Sequence, residues 1–491
     1  MTSYTVTTPT YEAPRPTRAA EPARPRLRAS HDAAQTTPDN RNHWLPADGL
    51  SPVAAASERV RDVLRRRSQY ETDNNCYAKG VVGSNTSDCV GKGPRLQVQT
   101  PDRELNAAIE DEWKRWADAT NLPCDLRVLD LSRRVRGESF GLFVTTDRYR
   151  RQTPVQLALR LFEADQVATP LGGRQPANLI DGVYVGADGR PDAYSLLRHH
   201  PGDTGGFAAW GEADRVPADR MIHWLIPDRP GQLRQVPELT PALPLFALLR
   251  RYGLATVHAA EFAASISGVL TTDLPPGVDG AEPEPLDEVA IVRNKLLTLL
   301  AGQKVEQFDP AQPTSNHEQF VRAVLREVGR ASDTPYGIMA GDCSGYNYSS
   351  ARLDFQTNDL RRGFERDQFR LRVMVPLLYE WLSEARFAVP LIAARLPDPF
   401  RLPHTWHFDA RPSIDPVKDA TADEMDLANG TTSLAAICAA DGTDWEEVAV
   451  QRQKEAERLR ELGLPVPWER DASPAAQASA AANREGAVLN D

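Results

Sequence analysis

The stretch from Tyr336 to Arg352 constrains this chain more than any other, because Gly337, Gly341 and Gly345 break it while helical patterns flank it on both sides. Glycines at such spacing disfavour a continuous helix, so we read the stretch as a polar loop held between two rods. The rod after it is the longest pattern in the chain, from Ser350 to about Arg386. Its ~36 residues would span roughly 54 Å, with a kink expected at Pro376, where a backbone donor is lost. The rod before it starts at Ser315–Glu318, which reads as a capping box. Its apolar face carries Phe320, Val321, Val324, Leu325 and Val328.

Further helices are legible upstream. One pattern begins at Ser57 and carries Val60, Val63 and Leu64 among Arg65, Arg66 and Arg67. A second opens at Thr100-Pro101, read as a capping hydroxyl and a first-turn proline, and puts Leu105, Ala108, Ile109, Trp113 and Trp116 on one face. A third runs from about Pro241 to Ser267, about 40 Å at 1.5 Å per residue, with Leu245, Leu248, Leu249 and Tyr252 followed by a stripe of alanines. Between the second and third lie strand-like runs at 140–146, 157–162, 182–185, 194–197 and 221–226, with a turn at Ala187–Arg190. Strand candidates at 297–300 and 304–308 follow the third helix, and a last helical pattern covers about Trp445 to Leu462. Helices mixed with short hairpin strands predict an α+β fold.

Composition excludes more than it identifies. No run approaches the ~18 apolar residues of a membrane span, and the N-terminus has no signal-type stretch, so neither secretion nor membrane embedding is expected. Residues 1–50 and the last twenty or so, from about Glu469, are polar, aperiodic and read as flexible tails. Five scattered cysteines with no C-x-x-C spacing suggest neither a zinc site nor a disulfide framework. A net charge of −11 argues against tight nucleic-acid binding, which rests on Lys and Arg displacing counterions. A DNA partner should therefore slide.

No catalytic signature occurs. The turn-rich run Val82–Gly93 fails as a phosphate loop, since Thr86 replaces its first glycine and Gly93 its metal-binding hydroxyl, and it reads as a plain turn. His199-His200 and the pair His404 and His407 read as ordinary histidines rather than metal ligands. Asp342, Asp354, Asp359 and Asp367 resemble nuclease carboxylates only in number, because steps of five and eight do not gather the last three on one helix face. The basic clusters Arg65–Arg67, Arg133–Arg136 and Arg361-Arg362 are read as DNA contacts or as salt bridges between subunits.

Several blocks then line up in order with one family. Asn74-Asn75, Val90–Gly93, the hairpin Asp181–Tyr194 with His200-Pro201-Gly202, and Arg229–Pro237 come first. Gly302–Glu306, Asn316–Phe320, Asn347–Arg352, Asp415–Lys418 and Gly442–Asp444 follow. Together they resemble the portal proteins of lambda-type tailed phages over about residues 57–464. Arg229–Pro237 is similar to the family's R-P-G-Q-x-R-G-V-P block, with Gln235 where glycine is usual. The turn Val328–Tyr336 departs from the family's Ala-Gly-Leu form.

The resemblance implies a ring, typically dodecameric, at one capsid vertex in the virion, assembled in the host cytoplasm. Terminase drives double-stranded DNA through it, and major capsid, scaffold and head-tail adaptor proteins attach. No enzyme activity, cofactor or metal is implied. Projected here, 51–239 form a wing, 240–268 and 317–332 stem helices, 269–316 a clip, 333–350 a tunnel loop, 351–399 a long kinked wing helix and 400–468 a helical crown. The loop positions expected to face DNA are Asp342, Ser344, Gly345, Tyr346, Asn347, Tyr348, Ser349, Ser350 and Arg352, with neutral donors that touch phosphate lightly and Asp342 repelling it. A metal-dependent nuclease and a monomeric scaffold or adaptor protein are the rival classes.

Overall fold

The computed structural model describes residues 36–170, 175–203, 212–265, 269–272, 303–306, 316–396, 398–411 and 415–469. It divides into two units, one ending at Ser51 and one beginning at Pro52. In the first, residues 36–51 form turns, with Thr37 N–H donating to Asn40 Oδ1 at 2.8 Å. The rest of the expected N-terminal tail, and the C-terminal tail after Glu469, lie outside the described residues.

The second unit opens with the short α1 (Pro52–Ala55), then α2 (Glu58–Asn74) and α3 (Cys76–Val90). The last of these corrects the turn read at Val82–Gly93. Asn75 Oδ1 caps it by accepting from Tyr77 and Ala78 N–H, and Ala78, Val81, Val82, Asn85, Thr86 and Cys89 are buried. Its small residues suit a helix pressed among others, so tertiary burial overrides the weak local propensity of Gly80 and Gly83. Gly91, at φ +59, ends it.

After β1 (Arg95–Val98) come α4 (Arg103–Thr120) and α5 (Leu122–Arg136). The cap of α4 is Asp102, whose carboxylate accepts from Glu104 and Leu105 N–H, and not the expected Thr100. Leu105, Ile109, Trp113 and Trp116 face inward as their spacing predicts. Trp113 stacks edgewise on Trp381 and Trp406, each with centroids 5.4 Å apart, and Trp116 Nε1 donates to Leu157 O at 2.7 Å. Burying such rings along with their polar tips anchors the largest core.

The strands β2 (Ser139–Thr145), β3 (Leu157–Glu163), β4 (Leu179–Ile180), β5 (Val183–Val185), β6 (Pro191–Leu197), β7 (Ala213–Pro217) and β8 (Met221–Trp224) form two antiparallel sheets, ordered β3-β2-β8 and β4-β5-β6-β7. A third core, centred on Phe140, Val183 and Tyr194, lies between them. The turn read at Ala187–Arg190 joins β5 to β6, with Gly189 at φ +79.

Next come α6 (Leu243–Ser265), the pair β9 (Val269–Thr272) and β10 (Gln303–Glu306), and α7 (Asn316–Ala331). The strand expected at 297–300 and the cap expected from Ser315 lie outside the described residues, while β9 went unread in the sequence. The second core joins Phe246 of α6, Val324, Leu325 and Val328 of α7, and Val81 and Val82 of α3.

Beyond α8 (Tyr336–Ala340), the long rod is α9 (Tyr348–Phe369), one widened turn at Arg370–Met374, α10 (Val375–Ala388) and α11 (Pro390–Arg395). Just before Pro376, where a kink is expected, the helix instead widens by one residue: Val375 N–H reaches back five residues to Arg370 O, and the wide turn absorbs the donor that proline lacks. Val389, extended before Pro390, ends α10. The region read as a helical crown begins instead with β11 (His404–His407), which pairs with β1 and puts Trp406 in the main core. The helices α12 (Pro416–Asn429), α13 (Leu434–Ala440) and α14 (Trp445–Glu461) follow.

One consequence concerns pH. Glu110 of α4 is half-buried, which pushes its carboxyl up to about 7; the Val98 N–H pulls the other way, and Asp444 and Glu447 add repulsion. A folded-state value above the unfolded 4.5 means that the fold bears the cost of this charge fully above about pH 7 and not at all below about pH 4.5. Glu110→Gln, which keeps the acceptor for Val98 N–H, is expected to raise the melting temperature at pH 8 and leave it unchanged at pH 4.5. Calorimetry at both values checks this; an equal shift at both contradicts it.

Candidate nucleic-acid interface

The helices α7 and α9 bracket the polar segment. α7 ends on a left-handed turn, with Asp333 at φ +48 and Thr334 N–H donating to Gly329 O at 2.8 Å. Thr334 and Ser332 are buried, and Thr334 Oγ1 lies 3.0 Å from Asn85 Nδ2 of α3, which fixes the departure point of the segment. The segment is not all loop: α8 occupies Tyr336–Ala340 and drops Met339 into the second core. Gly337 fits because the Tyr346 ring lies against it, where a side chain would overlap that ring. Gly341, at φ +65, ends α8.

From there the side chains largely satisfy one another. Asp342 Oδ1 accepts from Ser344 N–H at 2.9 Å, and Oδ2 accepts from the Tyr336 hydroxyl at 3.4 Å. The Ser344 hydrogen bonds hold this carboxyl below the usual range, so it is ionised at neutral pH. Tyr346 turns inward, its hydroxyl accepting from Gly337 N–H at 3.0 Å and donating to Asp354; burial first, and then Asp354, push its pKa up. Asn347 and Ser350 form a reciprocal capping box: Ser350 N–H donates to Asn347 Oδ1 at 2.8 Å and Asn347 N–H to Ser350 Oγ at 3.0 Å. That box starts α9 at Tyr348, whose side chain is outside the described set. Ser344, Gly345, Ser349 and Arg352 stay exposed, and a Cβ on Gly345 would meet nothing within 4 Å. Beside them lies a hollow of about 370 Å³ lined by Arg322, Arg326, Tyr336, Asp342 and Tyr346.

The buried members of the basic clusters depart from the sequence reading. Arg134 is fully buried, with Nε 2.8 Å from Asp130 and its terminal nitrogens 2.9 Å from Glu238 and 2.8 Å from Glu365. Arg133 reaches the same Glu238 at 3.1 Å, and Arg361 reaches Glu365 at 2.9 Å. Arg65 pairs with Glu138 and with Asp165. Arg65, Arg133, Arg134 and Arg361 thus tie α5 to α9 and α2 to the sheet region within one chain, whereas Arg66 and Arg67 of the first cluster stay exposed.

The other candidate groups disperse. Asp354 serves Tyr346, Asp359 meets Arg362 and Arg411, and Asp367 meets Arg370 at 2.7 Å. His404 Nδ1 lies 2.7 Å from Leu402 O and His407 Nε2 lies 2.9 Å from Gln97 Oε1, so the two histidines do not converge. Glu163, Asp165 and His200 do come close enough to share an ion. Arg136, however, already bridges the two carboxylates at 3.0 and 2.8 Å. Such an arrangement neutralises the charge of both carboxylates.

A family model described as "Phage portal protein, lambda family" matches residues 40–368, from the first unit to within α9. The chain belongs to that family. Among curated relatives, this portal protein is 25% identical over 493 residues to the "Probable portal protein" of Halomonas phage phiHAP-1, covering 91% of this chain and 90% of that one. Among solved structures, it is similar to a chain in the neck of an empty GTA particle computed with C6 symmetry, with TM-score 0.47 and 16% identity, covering 79% of this chain and 94% of that one. A chain in the neck of a native GTA particle computed with C12 symmetry gives TM-score 0.42 at the same identity and coverage.

A further residue that orders this portal protein went unweighed in the sequence. Arg234, within Arg229–Pro237, is buried and donates to Glu138 at 2.7 Å, Ala164 O at 2.9 Å, Val167 O at 2.8 Å and Asp181 O. The block is thus a clasp that pins the hairpin sheet, and its only local signal was an arginine enclosed by Pro and Gly.

Proposed function

We propose that this portal protein closes into a ring of about a dozen copies at one capsid vertex. In this reading double-stranded DNA passes through the ring during packaging and exit, driven inward by the terminase large subunit. The ring forms in the host cytoplasm with major capsid and scaffold proteins, and adaptor proteins later join it to the tail. The long helix α6 with α7 serves as stem, the β9–β10 pair belongs to the clip, and residues 333–350 face the channel. The observation that carries this reading is where the charge goes. The buried arginines are consumed by carboxylates inside the chain, and of the exposed described residues from Gly341 to Arg352 (Gly341, Cys343, Ser344, Gly345, Asn347, Ser349 and Arg352) Arg352 alone carries a charge. A duplex held by many basic contacts is gripped, whereas neutral donors repeated around a ring let it slide.

The test is packaging into capsids assembled with this chain. Capsids lacking it are expected to package no DNA. Asp342→Lys, which converts a repelling charge into an attracting one in every copy, is expected to slow packaging severalfold. Packaging that proceeds without the chain contradicts the proposal, and an unchanged rate for Asp342→Lys removes Asp342 from the channel wall.

A further inference from the structure

Every one of the fourteen residues of α12 is solvent-exposed. Helices of about this length are marginal in water unless an apolar face is buried. The helix has such a face: at 100° per residue Val417, Ala420, Met425, Leu427 and Ala428 fall on one side, and Val417 and Met425 are 75% and 55% exposed. Asp423 and Glu424 lie in and beside that arc and have no ion-pair partner among the described residues. Because α12 is wholly exposed, no described residue covers it.

A second uncovered surface matches it. On α2, Arg59, Val63, Arg66, Arg67 and Val60 share one arc of the helix, with Val60 and Val63 each 42% exposed. Arg66 pairs with Asp62, but Arg59 and Arg67 have no ion-pair partner among the described residues. One surface is apolar and acidic, the other apolar and basic. They are different patches of one chain, which is what a head-to-tail contact in a closed ring requires.

We propose that α12 of one copy docks on the exposed face of α2 of the next copy, an inference that rests on the ring reading above. Apolar contact of Val417 and Met425 with Val60 and Val63 supplies the burial, and Asp423 and Glu424 facing Arg59 and Arg67 set the register and exclude other partners.

The test is disulfide cross-linking of Val63→Cys with Met425→Cys in the full chain, with the exposed Cys76, Cys124 and Cys343 replaced by serine. Mild oxidation of assembled particles is expected to give a ladder of covalent multimers on a denaturing gel, while each single variant gives none. Rings that form without a ladder, or a cross-link confined to one chain, overturn this inference and leave the ring standing. Particles that never form overturn both. As a second measurement, Asp423→Arg with Glu424→Arg is expected to raise the protein concentration at which rings dissociate by roughly tenfold, and adding Arg59→Glu with Arg67→Glu is expected to restore it. Failure of the four-charge exchange to restore assembly also counts against the contact.

Discussion

An Arg134→Met chain is expected to lose about 3–5 kcal/mol of stability, because removing one partner of a buried ionic cluster strands the others. Three carboxylates, Asp130, Glu238 and Glu365, converge on this one fully buried guanidinium. Burial alone would raise the Glu365 carboxyl, yet Arg134, Arg133 and Arg361 hold it down to about 2. Methionine fills the volume but leaves the carboxylates facing one another in a poor solvent. Thermal unfolding checks this: the melting temperature should fall by several degrees, while under the proposed ring reading the variant's rings, assembled at low temperature, should retain DNA to the same extent as those of the parent chain. Unchanged melting with weakened DNA retention would mean that Arg134 faces the channel.

Arg234→Lys is the second large effect, expected to cost about 2–5 kcal/mol. The guanidinium reaches one carboxylate and three backbone carbonyls with a rigid fork, and also lies 5.5 Å from the Phe140 ring centroid. An ammonium has three donors from a single point, so buried acceptors go unpaired at about 1–3 kcal/mol each. Glu138, held well below the usual carboxylate range chiefly by Arg234 against its own burial, loses its principal counter-charge. The backbone of Gln235 and Val236 also presses on Gly137 at φ +91, where a Cβ would come within 2.5 Å of Gln235 O, so the block has little room to adjust. Urea denaturation of the two chains measures the difference. Equal midpoints would show that the positive charge alone suffices.

The helices with an apolar period were readable from the chain, as Leu105, Ile109, Trp113 and Trp116 show, and so was the hairpin turned by Gly189. What escaped depends on distant partners. The helix α3 carries glycines and small residues that only make sense packed against α5 and α7. The strand β1 is four residues long, and its Arg95 pairs with His407; so short a run has no period of its own. Arginines at 133–136 look like a basic patch because the carboxylates that absorb Arg134 stand 104 and 231 residues away. The place of the polar segment between α7 and α9 was legible, since glycines and helical patterns mark it. The inward turn of Tyr346 was not, because it depends on Asp354 and on the bare backbone of Gly337 meeting in space.

Everything functional in this account follows from many copies closing on one another. The most direct measurement is the mass and outline of the purified chain, by mass photometry and negative-stain microscopy across a range of concentrations. The expected result is an annular particle near 650 kDa, about twelve times the 54.2 kDa chain, with an open centre. A chain that remains at 54.2 kDa at every concentration, and also when expressed with capsid components, would contradict it.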